Sequence, residues 1–253
     1  MTAADLKRYQ EAEIRWEKEK SNLPYPKSEI PWGEKTKTHL IGHHYRFWHQ
    51  MFNPRQLLCL ATLLKAIDEE RDQPLKEMLL SAFFSLLNNV SDFCSYRTSV
   101  RALRQVFARH DYHPKNTPCE NTVWGTDVGM GSFETWTKAI KDGKSYSLSA
   151  WDYNNGNPVK RVNNDPLSGT FSLLCLPSAE FSISSKVDFV ITDPPYAGNV
   201  NYSELADFFY VWLRLSLAKT YPQFAPEITP KSEEIIENPT RGKTSADYEK
   251  GLT

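Results

Sequence analysis

The stretch Val187-Asp188-Phe189-Val190-Ile191-Thr192-Asp193-Pro194-Pro195-Tyr196 constrains this chain more than any other. Val187, Phe189, Val190 and Ile191 form a β-branched and aromatic run that predicts a buried parallel strand. Pro194 and Pro195 have no backbone N–H, so a ladder cannot pass through them. The strand should therefore end with Asp193 held at its carboxyl edge. In open α/β sheets that edge is where ligands bind.

The residue types at this edge suit one chemistry. Asp193 can accept a hydrogen bond from an exocyclic amine, and the carbonyl of Pro194 can accept a second. Two acceptors on one NH2 group turn its lone pair toward an electrophile, which is catalysis by positioning. Pro195 fixes the turn, and Tyr196 offers a flat face on which an extruded base can stack. The competing reading is a plain strand followed by an Asp-Pro turn.

Length and composition narrow the setting. A chain of 253 residues with 40% hydrophobic and 24% charged residues can bury a sizeable core. The formal net charge of −1 gives no global pull on nucleic acid, so any such contact needs a local basic patch. Cys59, Cys94, Cys119 and Cys175 lie far apart with no C-x-x-C pair, which points to a reducing cytoplasm and to neither zinc nor disulfides. No apolar run is long enough to span a bilayer, so no membrane partner is expected.

In chain order, residues 2–20 read as an exposed helix capped by Thr2 or Asp5, and 21–38 as a proline-rich linker. His39, His43, His44 and His49 cluster among aromatics, but no carboxylate or cysteine stands at matching spacing, so no metal is expected. Asn53-Pro54 starts one helix, and Asp72-Gln73-Pro74 starts a second that runs through Val90. Arg97, Arg101 and Arg104 then fall at i, i+4 and i+7, which predicts a basic helix face for a phosphate backbone or for solvent. Asp127-Val128-Gly129-Met130-Gly131-Ser132 mimics an acidic-x-Gly-x-Gly cofactor loop, but no apolar strand precedes it, so it reads as a loop insertion. Thr170–Leu176 is a second candidate buried strand. Asn201 to Glu204 reads as a capping box opening an apolar-striped helix. Asn201 and Tyr202 would then line the base pocket, 221–243 is a long mobile loop, and Thr244 with Asp247 opens a last helix.

Asp193-Pro194-Pro195-Tyr196 resembles the D-P-P-Y motif of the amino-methyltransferases that act on adenine N6 or cytosine N4. The block Thr192–Leu205, continued by Asp207-Phe208-Phe209-Tyr210-Val211-Trp212-Leu213-Arg214, is similar to one subgroup, the DNA methylases of the family called DUF1156. Met51-Phe52-Asn53-Pro54-Arg55-Gln56-Leu57-Leu58 and Asp247-Tyr248-Glu249-Lys250-Gly251-Leu252-Thr253 resemble further segments of those proteins in the same order. The resemblance implies an α/β fold: a partial Rossmann-like class I methyltransferase sheet with a helical insertion. It implies S-adenosylmethionine as cofactor, DNA as partner, and Asp193, Pro194, Pro195 and Tyr196 as the catalytic set. Asp193 and Ser178 (or Glu180) would also approach the cofactor. An aspartate opening the motif leans toward adenine N6.

On this reading the chain divides into an exposed helix and linker (1–38), a helical region (39–116), a loop-rich insertion (117–169) and part of the α/β core (170–253). The related proteins carry a glycine-rich cofactor loop upstream and further strands downstream, and neither stands in this sequence. The expectation is an incomplete enzyme, inactive alone, with a second chain as one source of the missing half. The alternatives are an RNA or protein-glutamine methyltransferase, or a non-catalytic module that binds nucleic acid or a partner.

Overall fold

Local chemistry sets the two helices that found the core. Asn53 accepts from the Gln56 N–H at 3.0 Å while Gln56 Oε1 accepts from the Asn53 N–H at 2.9 Å, and Pro54 occupies the first turn. That box starts a helix over Pro54–Asp68. Asp72 caps the next, Gln73–Leu87, by accepting from the Leu75 N–H at 2.9 Å. The computed structural model describes residues 2–126, 129–160 and 169–253.

In chain order the helices are α1 (Ala3–Glu19), α2 (Thr36–His39), α3 (Pro54–Asp68), α4 (Gln73–Leu87), α5 (Phe133–Leu148), α6 (Tyr202–Leu217) and α7 (Ser245–Leu252). The strands are β1 (Ser95–Arg97), β2 (Ala102–Arg104), β3 (Trp151–Asn154) and β4 (Asn157–Lys160). β1 pairs antiparallel with β2, and β3 with β4. The architecture is mixed α/β, mostly helical, with two small antiparallel hairpins.

Helical spacing decides the core. Leu57, Leu60, Ala61, Leu64 and Ile67 of α3 share one buried face with Leu80, Phe83 and Leu87 of α4. α6 adds Phe208, Val211 and Trp212. Trp212 meets Phe52 edge-on at 5.5 Å and Phe83 at 5.8 Å, and Phe208 stacks on Phe52 at 5.6 Å. Each such ring contributes roughly 1.5–3 kcal/mol by leaving water. α1 lies on α3 through buried Trp16, and α5 packs against α4.

His49 illustrates how the linker is held. Its Nδ1–H donates to the Pro26 carbonyl at 3.1 Å, between the Tyr25 and Phe47 rings. Burial holds its pKa below the ordinary histidine value, so the folded state prefers the neutral ring. Below about pH 6.5 the unfolded chain binds more protons than the folded one, so stability falls as pH falls through the depressed pKa. Urea midpoints measured from about pH 7.5 down to about pH 5 should decline, and His49→Gln should flatten that decline. An unchanged slope in the variant contradicts the assignment.

Two predicted strands are not found as strands. Residues 170–176 and 187–191 lie outside any helix or sheet, with Phe171 at 85%, Phe189 at 86% and Ile191 at 95% exposure. A parallel strand is stable only when neighbours supply ladder partners and cover both faces. Among the described residues neither segment pairs with a strand. Their β-branched composition is therefore not matched by burial.

The stretch 221–243, expected to be mobile, is tied down by polar anchors that its proline content conceals. Asp207 of α6 is fully buried and takes Lys231 Nζ at 2.9 Å through Oδ1 and 2.7 Å through Oδ2. Thr229 donates to the same carboxylate from its N–H at 2.9 Å and its hydroxyl at 2.7 Å. Burial pushes the Asp207 pKa upward, against the pull of Lys231 and Thr229. Ser203 at the start of α6 donates to Glu234 through both its N–H and its hydroxyl.

Candidate base-binding cavity

The Asp-Pro-Pro-Tyr turn is held from three sides. Tyr196 and Asn199 close a tight turn, with the Asn199 N–H on the Tyr196 carbonyl at 3.0 Å. Ala197 adopts φ +45° at its first central position, a conformation that an L-residue enters only at a cost. From α7, the Tyr248 hydroxyl donates to the Pro195 carbonyl at 2.8 Å. Thr244 and Asp247 form the predicted capping box that starts this helix. On the other side the turn leads directly into α6, whose first turn is anchored through Ser203 and Glu204.

That anchoring corrects the predicted box at Asn201. Glu204 does not reach back to Asn201. Its buried carboxylate accepts from the Glu34 N–H at 3.1 Å, the Lys35 N–H at 2.8 Å and Asn238 Nδ2 at 3.1 Å. Arg241 Nε approaches to 3.4 Å. Gly33 permits this, because a Cβ there would lie 2.6 Å from the carboxylate. Asn201 is 1% exposed, and its side-chain amide makes no hydrogen bond.

Asp193 and Tyr196 border one cavity of about 650 Å³. Its floor is the outer face of α6, with Tyr202, Leu205, Phe209 and Leu213, and α4 contributes Phe84. The segment after β2 supplies Phe107 and His110, and the 221–243 stretch supplies Phe224 and Thr229. Phe209 lies 4.5 Å from Phe84 and 5.5 Å from Phe107, ring centre to ring centre. The wall is thus largely aromatic, and Asp193 is the one acidic residue that lines it. Flat apolar faces with one carboxylate among them suit a planar heterocycle bearing an amine.

Of the residues singled out in the sequence, Asp193, Tyr196 and Tyr202 meet at this cavity. Pro194 and Pro195 hold the turn above it. Ser178 and Glu180 lie in a short 3-10 turn, Ser178–Glu180, and are not among its lining residues. Asn201 is also absent from its wall. Arg97, Arg101 and Arg104 do not share a helix face: Arg97 is on β1, Arg104 on β2, and Arg101 at the connecting turn with φ +49°. Thr98, Ser99 and Val100 make poor helix and a good turn, and that local preference prevailed over the spacing. Sequence reasoning missed Tyr248, and it placed Phe107 and His110 in the basic stretch 97–115 but not in the base pocket. The aromatic residues interleaved with the basic stretch were the available signal for the latter two.

Around the Asp127–Gly131 loop, the described residues from Gly129 onward do not fit a methyl donor. Asp127 and Val128 lie outside the described residues. The first N–H groups of α5, which a cofactor loop would aim at its ligand, are taken: Phe133 donates to the Val123 carbonyl at 2.8 Å and Glu134 to Trp124 at 3.0 Å. Gly131, at φ +78°, is required by Asn89, whose side chain a Cβ would meet at 2.5 Å. Ser132 caps α5 by accepting from the Thr135 N–H at 3.3 Å.

His39 Nε2 lies 3.3 Å from Asp111 Oδ2, and its ring 5.8 Å from that of His113. Among the described residues no histidine, cysteine and carboxylate group has the arrangement to hold a metal. No helix among them is long and apolar enough to cross a membrane. No known family, curated protein or solved structure matches this chain. The site stands on its geometry alone.

Proposed function

We propose that this chain is the amine-accepting part of a DNA amino-methyltransferase, acting on adenine N6 in preference to cytosine N4. The observation that carries the reading is the meeting of Asp193 and Tyr196 at one aromatic cavity. In this reading the base lies against Tyr196 and the rings beneath it. The Asp193 carboxylate and the Pro194 carbonyl accept the two amine hydrogens, Pro195 keeps the turn rigid, and Tyr248 holds the turn through the Pro195 carbonyl. S-adenosylmethionine would supply the methyl group, held by residues other than those described here, on a second chain or elsewhere in a longer one.

The exposed segments support the same reading. A further cavity of about 650 Å³ lies on the outer faces of α4 and α6, and Leu173 and Leu174 lean over it. Helices with an apolar outer face, beside two exposed apolar segments, are what one layer of a Rossmann-like sheet requires. Completing that sheet would bury residues 170–176 and 187–191. A second reading, a nucleic-acid-binding module without catalysis, is favoured by one observation, the filled N-terminus of α5.

A single strand carrying 2-aminopurine tests the cavity. Its fluorescence should be quenched on binding, and Tyr196→Ala should weaken binding about 5- to 150-fold, as loss of one stacking face costs roughly 1–3 kcal/mol. Quenching that survives unchanged in Tyr196→Ala sinks the proposal.

A further inference from the structure

Charge is distributed unevenly along this chain. Between residues 95 and 115 stand Arg97, Arg101, Arg104, Arg109 and Lys115, against the single acid Asp111, although the whole chain carries −1. Asp111 is engaged by His39 at 3.3 Å. Elsewhere three of the seven described arginines find carboxylates: Arg55 with Glu120 at 2.7 Å, Arg15 with Glu19 at 2.8 Å, Arg241 with Glu204 at 3.4 Å. Among the described residues none of the five cations between 95 and 115 forms an ion pair.

The fold gathers three of them together, and one of these, Arg109, directly precedes a residue that lines the cavity. Arg104 stands opposite Ser95 in the β1–β2 ladder, and Ser95 bridges Pro118 on its other edge. The segment carrying Lys115 is thereby brought alongside the hairpin. Burial lowers the Lys115 pKa, and the charges of Arg104 and Arg109 push in the same direction, as expected of cations sharing one patch. Arg109 precedes His110, which turns through φ +53° and lines the cavity. Like charges so placed repel one another unless an anion lies between them.

We propose that Arg104, Arg109 and Lys115 form a phosphate clamp that holds the backbone of a DNA strand beside the cavity entered by its base. The proposal rests on the base-cavity reading for its direction, since the strand would run past His110 toward Tyr196. The phosphate contact itself is independent of what the cavity accepts. Arg109 is the exposed member, and Arg104 and Lys115 are half-buried. An aromatic cavity flanked by unneutralised cations is the usual construction of single-strand sites.

The test is a salt titration of a labelled single strand of about 16 nucleotides, with adenine or an abasic site at its centre. Arg109→Gln/Lys115→Gln should weaken both strands alike, by about tenfold, and lower the slope of log affinity against log salt by about 1.4, at 0.7 per phosphate. Exposed Arg109→Gln alone should show about half the slope change, and Arg109→Lys should restore it. Lys7→Gln/Lys18→Gln on α1 should change nothing. Failure of the wild-type chain to bind either strand, or wild-type affinity and slope in Arg109→Gln/Lys115→Gln, overturns the clamp. If instead the two strands bind equally while the variants weaken both, the clamp stands and the base-cavity reading fails.

Discussion

Lys231→Met should destabilise this protein by roughly 3–5 kcal/mol, or about 10 °C in melting temperature. Lys231 and Asp207 are both buried, and the ammonium lies within 2.9 Å of both carboxylate oxygens. Removing it strands a charge against Phe208 and the core, with only Thr229 left to donate. The pH dependence identifies the cause. Burial already raises the Asp207 pKa, and loss of Lys231 must raise it further. A group with a raised folded pKa favours folding below its unfolded pKa, and that contribution is lost as pH rises through the folded value. The variant should therefore regain part of its deficit below about pH 4. Asp207→Leu/Lys231→Met should be more stable than Lys231→Met alone, since no charge then stays buried. Urea denaturation of the three proteins decides the matter, and equal stability for Lys231→Met and wild type removes the pair from the account.

Glu204→Ala is expected to cost a similar amount, about 3–5 kcal/mol, because it frees several donors at once. Hydrogen bonds to a charged acceptor contribute roughly 1.5–3 kcal/mol each, and not additively. The Glu34 and Lys35 N–H groups and the Asn238 amide would lose their acceptor, and the link between the linker, α6 and the 227–243 stretch would open. Gly33 supplies an internal check. Gly33→Ala places a methyl group 2.6 Å from the carboxylate and should destabilise wild type by about 1–3 kcal/mol. In a Glu204→Ala background the same substitution meets space and should cost little. Additive effects in that cycle would mean the glycine is there for another reason.

The helices were legible because their signals are local. Asn53-Pro54, Asp72-Gln73-Pro74 and Thr244 with Asp247 start helices where a capping side chain can satisfy the first N–H groups, and these helices are found. The apolar stripe of α6 packs inward at Leu205, Phe208 and Trp212, although Leu215 is exposed at 37%. What failed depended on partners distant in sequence. Val187–Ile191 has the composition of a buried strand, yet composition cannot provide the neighbouring edge that a strand needs. Glu204 fits a capping box by spacing, but donors at Glu34 and Lys35, about 170 residues earlier, claim its carboxylate. The arginine spacing misled because residues 98–101 prefer a turn. In the site, Asp193, Tyr196 and Tyr202 were readable from one motif, whereas His110 and Phe107 come from a segment about 85 residues upstream and joined only by folding.

The central claim is that the cavity beneath Asp193 and Tyr196 receives a base, and photocrosslinking tests it most directly. A single strand carrying 8-azidoadenine at its centre would be irradiated on the protein and the adduct mapped by peptide mass spectrometry. The account predicts adducts on Tyr196, Tyr202 or Phe209, lost when unmodified adenine strand competes. Adducts confined to α1 or to the β3–β4 hairpin, with the cavity rings untouched, would contradict it.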